Sequence, residues 1–304
     1  MDNEKIVGNN FKAGFVSIIG KPNVGKSTLI NRYIGEKVSI VSSKPQTTRD
    51  RILVILTEEN YQIIFIDTPG IHNPKHKLGE RMVKEAERGM ENSDVVVVLL
   101  DATTGIAEED NMILKAVSRL NTKKILTINK IDTVNKKDEL LSIVDRSKAI
   151  CEFDEYIPIS ALTGENTDVL LECIVNMLPE SPPYYPVDQL TDKTERFHVA
   201  EIIREKILLN TRDEIPHSIA VVIEDFNDEE SPDRVNIRAV IYVERESQKK
   251  IIIGKQGSML KKIGTEARLD IEKFLGRHVY LELWVKVYEK WRKNDYALRL
   301  FGYK

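Results

Sequence analysis

The chain has 304 residues, 41% of them hydrophobic and 31% charged, with a formal net charge of −3. That is enough chain for two domains of ordinary size. It has no apolar run approaching the eighteen or so residues of a membrane span, and its near-neutral charge names no partner. The opening stretch "MDNEKIVGNNFKAG" has no apolar core, so no secretory signal is expected. The only two cysteines, Cys151 and Cys173, suit neither a zinc site nor a redox pair and are expected to be reduced thiols of a cytoplasmic protein.

In chain order, a strand is predicted over 15–20, followed by Gly20-Lys21-Pro22-Asn23-Val24-Gly25-Lys26-Ser27-Thr28, which fits G-x-x-x-x-G-K-[ST] and opens a helical run. The glycines permit a tight loop whose backbone N–H groups face phosphate oxygens, and the helix adds its positive dipole end. Lys26 would reach the β- and γ-phosphates, and the Ser27 hydroxyl would ligate Mg²⁺. Strands over 52–57 and 61–67 are too close for a crossover helix, so they should pair antiparallel and leave one reversed strand at the sheet edge. The second ends in Asp67-Thr68-Pro69-Gly70-Ile71. Here the acid can hold Mg²⁺ through a water, and the Gly70 N–H can sense a γ-phosphate.

After a helical pattern at 75–91 comes "VVVVLLD" (95–101), apolar on both faces as a central parallel strand should be. A helix over 108–120 and a strand over 124–129 lead into Asn129-Lys130-Ile131-Asp132. An aspartate there accepts hydrogen bonds from the N1–H and exocyclic amine of guanine. Adenine presents the reverse pattern, a mismatch worth on the order of 10⁴-fold in selection. A helix over 135–150 and a strand over 156–160 precede Ser160-Ala161-Leu162, whose backbone can donate an N–H to the guanine oxygen, and a helix over 166–178 follows. Four motifs at strand C-termini, where such sheets bind ligands, imply a doubly wound, mostly parallel α/β domain over 1–180 that binds GTP or GDP with Mg²⁺.

The stretch "LPESPPYYPVDQLTD" supplies an expected proline-rich linker, placed at 181–193. Beyond it, helix 194–210, strands 218–225 and 235–244, helices 247–253 and 258–275, strand 278–289 and a helical tail define an α+β domain over 194–304. From Lys249 onward, 14 Lys/Arg face 6 Asp/Glu, an excess that favours a polyanion partner. Gly254-Lys255-Gln256-Gly257 lies between two helices and lacks the G-K-[ST] ending, which argues against a second nucleotide site. It fits the G-x-x-G loop of KH domains, which clamps about four single-stranded nucleotides. Lys255 and Lys261 would neutralise phosphates, and the triplet ending in Ile253 (251–253) would floor the groove.

The motifs "GKPNVGKST", "TTRD", "DTPG", "NKID" and "SAL" resemble GTPases of the translation-factor class. That resemblance implies a first-switch threonine completing the Mg²⁺ shell, here Thr48, with Thr47 as the alternative. Many such enzymes carry a water-orienting glutamine where this chain has Ile71. A subgroup with an apolar residue there uses a loop asparagine to help hold K⁺, and Asn23 sits at the matching position. The catalytic set is therefore Lys26, Thr48, Gly70 and Asn23, with slow hydrolysis. His72 and His76 are read as switch-loop residues rather than bases. With the type II KH element order, and with "AEIIREKIL", "IIIGKQGSMLKKIG" and "LGRHVYLELWVKV", the whole chain resembles the Era family of bacterial ribosome-assembly GTPases. The resemblance implies binding of the 3′ end of 16S rRNA, association with the 30S subunit and some peripheral association with the inner face of the membrane; a monomer is expected. The alternative is a membrane- or cell-cycle-associated signalling GTPase whose C-terminal domain binds protein.

Overall fold

In a computed structural model of the chain, the residues described are 10–36, 38–40, 47–71, 74, 76–134, 137–228 and 233–303. His72 lies outside them. Those within 1–41, 48–73 and 82–192 form one compact unit, and those within 42–47, 74–81 and 193–304 form another.

The first unit is built on six strands: β1 Lys12–Ile19, β2 Ile52–Thr57, β3 Tyr61–Asp67, β4 Val95–Asp101, β5 Lys123–Asn129 and β6 Glu155–Pro158. Their order is β2-β3-β1-β4-β5-β6. Only β2 runs antiparallel, pairing with β3 at the edge as the three-residue connection requires. All seven residues of β4 are buried, which is what a strand covered on both faces demands. The helices are α1 Lys26–Ile34, α2 Lys77–Glu91, α3 Glu108–Val117, α4 Lys137–Lys148 and α5 Thr167–Met177. Every motif of the first unit leaves the sheet at the same end, past the C-termini of β1, β3, β5 and β6.

The expected linker departs from expectation. Residues 181–192 belong to the first unit, and 190–192 lie along the open side of β2. Ile55 N–H donates to Leu190 O (2.9 Å), Asp192 N–H to Leu53 O (3.3 Å), and Leu53 N–H to Asp192 Oδ1 (2.9 Å). Gln62, fully buried in β3, donates to Tyr185 O (2.8 Å) and accepts the amides of Tyr184 (2.7 Å) and Tyr185 (3.0 Å). Thr191 bridges antiparallel to Val54, so the last residues of the segment supply the partner that an open strand edge lacks.

The second unit contains α6 Glu195–Asn210, α7 Ile215–Ser218, β7 Ala220–Asn227, β8 Arg234–Val243, α8 Glu246–Ile253, α9 Ser258–Leu275, β9 His278–Val287 and α10 Asp295–Leu300. The sheet order is β7-β8-β9, antiparallel then parallel. Thr194 caps α6 by accepting the Phe197 amide. Val199, Ile203 and Ile207, at helical spacing on α6, share one core with Ile237, Ile241, Ile263 and Ala267. The tail closes on an aromatic cluster around buried Trp291, whose Nε1–H donates to Ser218 O (2.9 Å).

Candidate functional site

In the first unit Gly25 turns the chain into α1 with φ 107°, and Lys26 opens the helix. Lys26 is buried, and its ammonium donates to Gly20 O and Lys21 O, each at 3.2 Å. Burial lowers its pKa to about 8, opposed by the nearby Asp67 charge. Ser27 Oγ donates to Asp67 Oδ2 (3.0 Å) and lies 3.2 Å from Thr48 Oγ1. Asp67 is fully buried, and its Oδ1 has no hydrogen-bond partner among the described residues. Burial raises the Asp67 pKa, with Lys26 as the chief opposing charge. Two hydroxyls and a carboxylate oxygen left without a hydrogen bond form a hard-oxygen donor set that fits Mg²⁺.

The loop after β3 rests directly on the loop after β1. A Cβ on Gly70 would fall 2.6 Å from Pro22 N, so this close approach admits only glycine. Ile71 N–H donates to Gly20 O (3.3 Å), and the Ile71 side chain is buried in the apolar core. Thr68 Oγ1 donates to Ile18 O (3.2 Å), and Pro69 is buried. Asn23 stands exposed at φ 63°. Thr28 is partly buried in the first turn of α1.

On the base side, Asn129 Nδ2 donates to Val24 O (2.7 Å) while its Oδ1 accepts the Ala161 N–H (2.9 Å). Ser160 Oγ donates to Asp132 Oδ1 (2.5 Å), aiming that exposed carboxylate. Ile131 N–H donates to Ile159 O (3.3 Å), and Leu162 is 74% exposed. Lys130, at φ 68°, pairs with Asp101 Oδ2 at 2.6 Å. Asp101 ends the apolar run "VVVVLLD", and an acid closing a buried strand was a signal available in the sequence.

Lys21 behaves differently from the expected nucleotide contact. Its ammonium turns to Asp110 Oδ2 (2.9 Å) and Thr104 Oγ1 (2.7 Å), leaving its carbonyl to hold Lys26. Asp110 is fully buried, and nothing in the sequence near it marks it as a partner for a residue 89 positions away.

In the second unit, α8 meets α9 through a turn at 254–257. Gly254 has φ 73° and ψ 177°, a combination essentially confined to glycine, and a Cβ there would lie 2.8 Å from Met259 N. Gly257, at φ 78°, opens onto free space. Lys255, Gln256 and Lys261 are exposed. A groove of about 410 Å³ runs beside this turn between α9 and β9, lined by Gly257, Leu260, Lys261, Arg268, Leu281 and Leu283 among others.

The three isoleucines of the expected floor do not share a face. Ile252 is buried in the core, Ile251 is 51% exposed, and Ile253 packs partly against the core. Three consecutive residues point about 100° apart around a helix and cannot share a face. Leu281 and Leu283, one strand period apart, line the groove instead. The alternation of "HVYLELWVKVYE" carried that signal.

Residues 15–130 match the family described as 50S ribosome-binding GTPase, and residues 214–292 match the KH domain family. GTPase Era of Carboxydothermus hydrogenoformans is 51% identical over 294 residues, 97% of this chain and 98% of that protein. A crystal structure of Era with MgGDPNP and nucleotides 1506–1542 of 16S ribosomal RNA superimposes with a TM-score of 0.93 at 46% identity, covering 96% of this chain and 99% of that one. An alanine variant of Aquifex aeolicus Era bound to GDP and aluminium fluoride gives 0.92 at 46% identity, with 96% and 99% coverage. A nucleotide site in the first unit, a KH fold in the second and this near-full-length likeness place the chain in the GTPase Era family.

Proposed function

We propose that this GTPase couples GTP binding and slow hydrolysis to capture of the single-stranded 3′ end of 16S rRNA in the α9–β9 groove, and that it acts in 30S subunit assembly. The observation that carries this is the near-full-length likeness to the Era structure holding that RNA. The groove's own chemistry supports it: glycine for close backbone approach, Lys261 and Arg268 for phosphate, Leu281 and Leu283 for bases.

In the nucleotide site, Lys26 exchanges its carbonyl partners for β- and γ-phosphate oxygens, which favour its protonated form. Ser27, Thr48 and Asp67 would hold Mg²⁺, whose chemistry is to offset phosphate charge. Asp132 selects guanine, and Ala161 and Leu162 lie beside the guanine oxygen. Buried Ile71 can neither orient nor deprotonate water, so hydrolysis rests on charge stabilisation by Lys26 and its neighbours and is slow. Asn23 would help hold K⁺. GTP turnover should be faster in KCl than in NaCl at equal ionic strength; equal rates together with an unaffected Asn23→Ala variant overturn that role.

We infer a cytoplasmic monomer that meets the inner membrane face only peripherally. Among the described residues no helix is long and apolar enough to cross a membrane, and vesicle co-sedimentation tests the contact. The central experiment is binding of a 3′-terminal 16S rRNA oligonucleotide in the presence of GDP or a non-hydrolysable GTP analogue. Tighter binding with the analogue is expected. No binding in either state overturns the RNA reading, and equal binding removes the switch.

A further inference from the structure

The first turn of α1 carries the phosphate-site residues Lys26 and Ser27, while its last turn carries an arginine. Arg32 reaches away from the helix: its Nε donates to Ala161 O (2.9 Å) and its Nη2 to Leu162 O (2.7 Å). The next side chain, Tyr33, sends its hydroxyl to Thr167 O at 2.9 Å. The loop fits closely around the guanidinium. Gly164 stands at φ 97°, and a Cβ there would lie 2.6 Å from Arg32 Nη1.

Ala161 is thereby held from both sides. Asn129 takes its N–H (2.9 Å) and Arg32 takes its carbonyl (2.9 Å). Successive peptide planes are rigid, so fixing the carbonyls of Ala161 and Leu162 also fixes the direction of the amides that follow them. A planar guanidinium with several donors in one fork can grip two consecutive carbonyls at once, which a lysine cannot do.

Resting on the reading of 160–162 as the guanine loop, we propose that Arg32 is a positioning residue for base recognition. It ties the loop that faces the guanine oxygen to the helix that begins at the phosphates. The phosphate and base subsites thus share one rigid element, and the Leu162 amide, which shares a peptide plane with the Ala161 carbonyl, is set before nucleotide arrives. Arg32 is exposed and touches no reacting atom, so its removal should act on nucleotide retention and leave the chemical step alone.

The test compares full-length wild type with Arg32→Ala and Arg32→Lys, using GDP and 6-thio-GDP. The thio analogue keeps the N1–H and exocyclic amine that Asp132 recognises and replaces the oxygen the loop recognises with a poorer acceptor. Wild type should bind 6-thio-GDP several-fold more weakly than GDP. Loss of two charge-assisted hydrogen bonds in Arg32→Ala should weaken GDP about tenfold, through faster dissociation. The same variant should bring the GDP to 6-thio-GDP ratio close to one. KM for GTP should rise while kcat at saturation and the melting temperature without nucleotide hold. Arg32→Lys should recover only part of the loss.

An unchanged GDP off-rate, or a loss equal for both nucleotides with the ratio preserved, overturns the role of Arg32. Absence of discrimination in wild type instead overturns the guanine-loop reading itself. Gly164→Ala provides a second handle, because it displaces the guanidinium without removing it and should reproduce the faster GDP release.

Discussion

Two glycine loops in this chain look alike in the sequence and work in opposite surroundings. At 20–27 the loop leaves a buried strand, its lysine is buried, and a second loop sits against it at Gly70. At 254–257 the loop joins two helices, Lys255 is exposed, and Gly257 faces open space. A buried ammonium costs solvation that Asp67 and two carbonyls offset only in part, and a compact, highly charged ligand inside the same pocket offsets the rest. An exposed ammonium costs little and suits a polymer laid along a surface. Glycine count does not distinguish the two devices; burial of the neighbouring charge does.

The largest expected effect lies on the enclosed side. Asp132→Asn replaces two acceptor bonds to guanine with a mismatched amide, so GTP affinity should fall on the order of 10³- to 10⁴-fold. The same variant should gain affinity for xanthosine triphosphate, whose 2-oxo group accepts from the new amide. Competition binding against labelled GDP measures both. A loss of GTP without that gain would mean that Asp132 acts structurally.

On the open side, Gly257→Asp adds a carboxylate where the RNA backbone would pass and meets no neighbour in the fold. RNA affinity should drop at least tenfold with GTP turnover unchanged, read by fluorescence anisotropy and phosphate release. Gly254→Asp should lower thermal stability further than Gly257→Asp, because both positions have positive φ but only at Gly254 does the 2.8 Å approach to Met259 also leave no room for a side chain. If the two variants melted alike, the division between a structural and a contacting glycine would fail.

The Lys26 pKa sharpens the comparison further. Free, the group titrates near 8; beside phosphates it holds its proton to higher pH. Binding is therefore at full strength well below pH 8 and weakens above it, with a proton taken up on binding. Affinity for GDP at pH 9 should be about tenfold below that at pH 7. Calorimetry in buffers of different ionisation enthalpy should show proton uptake near pH 8.5, absent in Lys26→Met. The smallest effect belongs to exposed Lys261: Lys261→Ala should weaken RNA binding a few-fold and reduce the salt slope by about one.

What the sequence made legible follows from locality. Strand β4 could be read because burial on both faces leaves an unbroken apolar run, and each nucleotide motif is contiguous at the end of such a run. The Ile251–Ile253 triplet reads as one apolar block in the sequence, and only the rotation of the helix that carries it separates the three side chains. Lys21 with Asp110, and Arg32 with Ala161, are pairings across 89 and 129 positions. No local pattern encodes a partner that far along the chain. The proline-rich stretch was misplaced for a related reason. Proline reports a break in helix and ladder but not what the chain beyond it lies against.

That stretch carries a practical consequence. Residues 190–192 occupy the outer side of β2, and Tyr184 and Tyr185 satisfy the buried amide of Gln62. A fragment ending at residue 180 would present the six residues of Ile52–Thr57 as a bare, apolar ribbon, with the Gln62 amide keeping Thr57 but losing its bonds to Tyr184 and Tyr185. Such ribbons recruit one another. The isolated nucleotide-binding half should therefore self-associate when cut after residue 180 and remain dispersed when cut after Asp192.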